Sequence, residues 1–151
     1  MACPFFMPTK RFEGGAWTHP SRLPLGAGWH GHCTAGLPDA PPPTDEHVQT
    51  YCNLGYATSC ASLPSGRRSD AVRFSVARHT DERVTLRYAC ELNHRPSEHG
   101  ILEFAKGERN WISSHPDSRI QKMAECYLES HLRKFESIYP AQALANAGEP
   151  L

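Results

Sequence analysis

Apolar Val72, Phe74 and Val76 alternate with Arg73, Ser75 and Ala77, the period-2 pattern of a half-buried strand. The alternation returns at Val84, Leu86, Tyr88, Cys90 and Leu92, set against Thr85, Arg87, Ala89 and Glu91. His79-Thr80-Asp81-Glu82 reads as the turn between them, so the two segments predict a hairpin. Asn93 to Glu98 predicts a second turn. Leu102 and Phe104 then flank Glu103 in a third strand closed by Gly107. The expectation over residues 71–107 is a three-stranded antiparallel sheet with one apolar and one wet face.

The period then changes. Ile120, Met123, Ala124, Tyr127, Leu128, Leu132, Phe135 and Ile138 recur at helical spacing, with Gln121, Lys122, Glu125, Glu129, Arg133 and Glu136 mainly opposite. One amphipathic helix over 117–138 is predicted. Ser114, with Pro116 in the first turn, reads as its start signal. At about 30 Å it is long enough to cross three strands and cover their apolar face.

Before residue 67 neither period is present. This stretch holds most of the prolines and glycines and four of the six cysteines. It also holds Phe5, Phe6, Phe12, Trp17, Trp29, Tyr51 and Tyr56, too much aromatic surface for a disordered tail. Leu37 to Glu46 reads as an extended linker. Thr44 or Asp45 is placed to cap a short helix through His47, Val48 and Tyr51, ending at Gly55, with Cys52 on its last turn and Cys60 on the next loop. The predicted class is α+β. Residues 1–66 form a loop-rich metal-binding part, 67–139 form the sheet and its covering helix within one domain-sized chain, and 140–151 form a frayed tail.

Charge excludes some functions. Sixteen basic and sixteen acidic side chains cancel, so no net field draws the chain to nucleic acid or an anionic membrane. No apolar run approaches the roughly 20 residues of a spanning helix. The opening Met-Ala-Cys-Pro-Phe-Phe-Met-Pro makes a poor signal peptide. A cytoplasmic location is expected, where grouped cysteines mean metal or catalysis more often than disulfides.

Cys90 is in phase with Tyr88 and Leu92, and Cys126 lies beside the helix stripe; both read as small core residues. Cys3, Cys33, Cys52 and Cys60 lie instead in loop-rich sequence beside glycine, proline or an aromatic. Four thiolates suit zinc or an iron–sulfur cluster equally by count. Structural zinc usually takes ligands in close pairs, which these four lack, whereas a cubane gathers cysteines from separated loops. A [4Fe-4S] cluster on Cys3, Cys33, Cys52 and Cys60 is the expectation, with zinc the alternative. His30 and His32 flank Gly31 before Cys33, and either is a candidate substitute for a thiolate.

Cys3-Pro4-Phe5-Phe6, followed by Tyr51-Cys52 and Cys60-Ala61, resembles a pattern in small uncharacterised bacterial proteins that open with CPFF and later carry a YC…CA pair. The resemblance covers the first part of the chain. It implies a three- or four-cysteine centre.

The chain lacks a P-loop, a Rossmann fingerprint, a G-x-S-x-G elbow and H-E-x-x-H, so no stand-alone enzyme is indicated. Three readings follow. The first is a redox, electron-transfer or sensing protein with a redox or protein partner. The second is a zinc-stabilised interaction module. The third is a small metalloenzyme using His30, His32 and Cys33.

Overall fold

A computed structural model describes residues 2–13, 23–36, 39, 41–54 and 60–140. Trp17, Tyr56, the predicted helix end at Gly55 and the tail from 141 lie outside them. Strands β1 (Phe6–Arg11) and β2 (Trp29–Cys33) come first. A single turn, α1 (Asp45–His47), runs into a π-helical turn (Val48–Asn53). Then follow β3 (Ala71–His79), β4 (Arg83–Leu92), β5 (Arg95–Ala105), β6 (Asn110–Ser113) and α2 (Ser118–Ile138).

The predicted three-stranded sheet is corrected to four antiparallel strands in the order β3-β4-β5-β6. Val76 pairs with Leu86, and Leu86 with Leu102. Val84, Leu86 and Leu102 are buried, so the alternation faces the core in the expected phase. The fourth strand is only four residues long, too short to display a period. The second turn shrinks to Asn93 and His94, with φ of 51° and 62°, the two-residue hairpin turn that needs positive φ twice. Pro96 thereby enters β5 beside a register shift between Cys90 and Glu91. β6 pairs only with Glu103, Phe104 and Ala105, so this end of β5 is an edge, where a proline interrupts no ladder.

A second correction lies in the first part of the chain. β1 and β2 pair antiparallel as a separate two-stranded sheet. Pro8 and Gly31 obscure the pattern in sequence, yet they face each other in the register. A Cβ on Gly31 would strike the Met7 carbonyl oxygen and the Phe6 ring, so glycine permits the close approach.

α2 is capped by Asp117 rather than Ser114. The Asp117 carboxylate accepts from the Arg119 N–H at 2.9 Å. Ile120, Met123, Ala124, Cys126 and Leu128 are buried, and the helix packs on β1 and β3. One apolar cluster joins Ala2, Phe6, Trp29 and Cys52 to Val72, Leu86 and Met123. Residues on both sides of position 66 therefore share a core. Ala2 also exchanges two backbone hydrogen bonds with Val72, at 2.9 and 2.8 Å, which anchors the start of the chain on β3. Among the described residues, no helix is long and apolar enough to cross a membrane.

Candidate metal centre

Four segments bring four thiols to one place. Cys3 follows the bridge to β3 and opens a turn through Pro4 and Phe5. Cys33 ends β2, opposite Phe6 of β1. Cys52 sits in the π-helical turn, and Cys60 lies ahead of the loop that leads to β3. All four line a cavity of about 560 Å³, with His32, His47, Tyr51 and the run Pro41-Pro42-Pro43 also in its wall.

The cysteine segments are bound directly to one another. Cys3 donates its N–H to the Cys52 carbonyl at 3.1 Å. Thr34, next to Cys33, donates both its N–H and its hydroxyl to the Phe5 carbonyl, at 2.9 and 2.7 Å. Arg119 reinforces this joint from α2. Its guanidinium donates to Thr34 Oγ1 at 3.1 Å and lies 5.1 Å from the Phe5 ring centroid, while Asp117 holds it in an ion pair at 2.8 Å.

Burial, with the neighbouring Cys3, Cys33 and Cys60 adding to it, pushes the Cys52 thiol up to about 12. Burial also raises Cys3, to about 11; the backbone N–H groups of Phe5 and Phe6 oppose this, and Cys33 and Cys60 add to it. The mutual effect is that of like charges gathered in one desolvated space. Among the described residues, no lysine or arginine lines the cavity. Cys3 and Cys52 are consequently held as thiols at neutral pH and are poor nucleophiles. A cation among them would reverse this, because a coordinating thiol loses its proton outright.

The surroundings suit a thiolate centre. Ala35 donates its N–H to Cys33 Sγ at 3.4 Å, the type of contact that tunes a cluster's potential. Cys3 and Cys52 are buried, while Cys33 and Cys60 are half-buried, so the cavity keeps an open side. Among the described residues, no group of three or more His, Cys, Asp or Glu side chains is drawn close enough to hold a metal ion. Four thiols of this kind fit a thiolate-ligated cluster by donor type and number.

Cys90 and Cys126 are both core residues, absent from the cavity wall. Burial raises each to about 12. The two histidines proposed as substitutes separate. His32 reaches the cavity wall, whereas His30 is exposed and packs on Phe12, with ring centroids 4.9 Å apart. His32 and Cys33 thus line the cavity together, while His30 stands outside its wall.

Three residues with a part in the site were not read from sequence. His47 Nε2 lies 3.3 Å from Cys60 Sγ. Asn53 ties the Cys52 turn to β2. Arg119 joins α2 to the Cys3 and Cys33 segments. His47 is five residues from Cys52, a spacing that shares a face only in a π turn, and single-sequence periodicity carries no signal for one.

Compared with known protein families, curated proteins and solved structures, the chain matches none.

Proposed function

We propose that Cys3, Cys33, Cys52 and Cys60 hold a [4Fe-4S] cluster, and that the protein serves a redox, electron-transfer or sensing role through it. The observation that carries this reading is the gathering of four thiols from four chain segments around one cavity, with no lysine or arginine among the described residues of its wall. Their mutual repulsion on ionisation calls for a central cation. The four lack the close sequence pairs that structural zinc usually takes, which favours a cluster over zinc. Such a centre supplies one-electron chemistry when bound, at a potential set by burial and by hydrogen bonds to sulfur. The chain contributes both, through the buried Cys3 and Cys52 and the Ala35 N–H. The open side of the cavity is the place for electrons to pass to a protein partner.

Purification without oxygen, followed by iron, sulfide and zinc analysis, tests the reading. A brown protein absorbing near about 400 nm, with matching iron and sulfide, is expected. Cys52→Ser should abolish both, since a hydroxyl keeps the volume and removes the soft anionic ligand. A colourless, zinc-loaded protein would overturn it.

A further inference from the structure

We infer that His47 is a second ligand for the coordination position served by Cys60, so that the site can close as four cysteines or as three cysteines and His47. The inference rests on the cluster reading above and adds a ligand to it. His47 Nε2 stands 3.3 Å from Cys60 Sγ, and both line the same cavity. A metal within bonding reach of one of these atoms is therefore beside the other. Imidazole is an established replacement for thiolate at iron–sulfur centres, where it raises the potential.

Local backbone geometry supports the same assignment. In an α-helix, residues five apart point about 140° away from each other. That geometry would turn His47 away from a cavity that Cys52 faces. Here the chain changes after His47 from one α turn to a π turn over Val48–Asn53, whose i→i+5 closure is rare and recurs at functional sites. His47, Tyr51 and Cys52 thereby all reach the cavity wall. The Thr44 hydroxyl accepts the His47 N–H at 3.2 Å and fixes the start of the segment. The Tyr51 ring lies 4.6 Å from the His47 ring and supports it from the side.

Cys60 is the ligand suited to exchange. It is half-buried, and among the described residues its segment shares no backbone hydrogen bond with those that carry Cys3, Cys33 and Cys52. When it leaves, one sulfur–metal bond is replaced by one nitrogen–metal bond, and the released thiolate takes a proton from water. No electron is transferred in the exchange.

The full-length chain, reconstituted with iron and sulfide without oxygen, is compared as wild type, Cys60→Ala, His47→Ala and the double variant. Alanine cannot coordinate, and both positions are half-buried, so the fold is little disturbed. Cys60→Ala should keep its iron and sulfide, and pulsed electron resonance of its reduced state should reveal a nitrogen coupling that wild type lacks. His47→Ala should keep its cluster through Cys60. The double variant should lose it. Loss of the cluster in Cys60→Ala alone, or a cluster in the double variant, overturns the role of His47 while leaving the four-cysteine reading in place. A wild-type protein that takes up no iron and sulfide overturns the cluster reading itself.

Discussion

Asn53 holds both backbone polar groups of Trp29. The Trp29 N–H donates to Asn53 Oδ1, and Asn53 Nδ2 donates to the Trp29 carbonyl, each at 3.0 Å. The same amide nitrogen donates to the Val48 carbonyl at 3.0 Å, across the π turn. Asn53 adjoins Cys52, and Trp29 opens the strand that ends in Cys33, so one buried amide sets two cysteine segments against each other. Asn53→Ala should destabilise the protein by about 2–4 kcal/mol, because several buried backbone groups lose their partner. Asn53→Asp should be no milder, since it aims a carboxylate oxygen at two carbonyls. Urea unfolding measures the stability loss, and iron retention measures whether the cysteine segments have drifted apart.

Cys90→Ala and Cys126→Ala supply the contrast. Both side chains are buried in the core cluster, away from the cavity. Each variant should lose about 1 kcal/mol, the cost of a small void, and keep the full iron and sulfide content of wild type. A loss of iron in either would show that the set of ligands is wrongly drawn.

Asp70 precedes β3 and ties it to the β4–β5 turn. It is fully buried, pairs with the Arg67 guanidinium, and accepts the Asn93 N–H at 2.8 Å. Burial acts to raise its carboxyl, but the Asn93 N–H and Arg67 outweigh this and hold it below the usual carboxylate range. Asp70→Asn keeps the shape and loses the charge, and should cost about 1.5–3 kcal/mol for the charge-assisted bonds. The folded carboxyl is the stronger acid, so its contribution is whole above about pH 4 and is lost as pH falls through the depressed folded value. The difference in urea midpoint between wild type and Asp70→Asn should therefore narrow on acidification below pH 4.

Sequence alone carried those parts of the molecule whose burial follows a period. Val84, Leu86 and Leu102 sit inward because alternation leaves them no other phase. Met123 and Leu128 sit inward because they share a helical stripe. Pro96 misled, because a proline reads as a turn and its tolerance here depends on β6 being too short to reach it. The β1–β2 ribbon was hidden for a similar reason: Pro8 and Gly31 are poor strand formers singly and compatible only as partners. The cysteines were separable into four and two because loop context and strand phase are local properties. The contacts that assemble the four are not local. Arg119 meets Thr34 across 85 positions, and the π turn that presents His47 is set partly by the Asn53 amide, which spans from Val48 to Trp29.

On the proposed cluster reading, removing the metal should act unevenly on the chain. The cysteine segments are joined by few regular ladders, whereas β3, β4 and β5 form long paired strands. Binding free energy of the centre is folding free energy for the segments that supply its ligands. In metal-free protein, limited proteolysis should cut first between Pro4 and Arg68 and leave a protected fragment from about Asp70 onward. Phe6 and Trp29 belong to the same apolar cluster as Val72 and Met123, so the fragment should also bind an apolar dye where wild type does not. Equal resistance of both parts would show that the metal contributes no order, and simultaneous digestion would show that the shared core fails as a unit.

The last prediction concerns a pair of histidines remote from the cysteines. His79 Nδ1 and His131 Nε2 are 2.9 Å apart, and Lys106 Nζ lies 3.1 Å from His79 Nε2. The ammonium can only donate, so His79 Nε2 accepts, and its Nδ1–H is left to donate to His131. Both rings must be neutral for this chain of bonds to exist. Burial lowers the pKa of His79, and Lys106 and His131 lower it further against an opposing Asp81. Burial likewise lowers His131, with Lys134 and Lys106 adding to the effect. The unfolded chain therefore binds more protons than the folded one between the depressed values and the usual value of about 6.5. Stability then rises with pH across that window. It is complete above about pH 6.5 and falls as the rings are forced to charge. Wild type should show a lower urea midpoint at pH 5.5 than at pH 7.5, and the His79→Gln, His131→Gln double variant a smaller drop. Glutamine retains a hydrogen-bonding group without the titration, so an undiminished drop in that variant would place the acid sensitivity elsewhere.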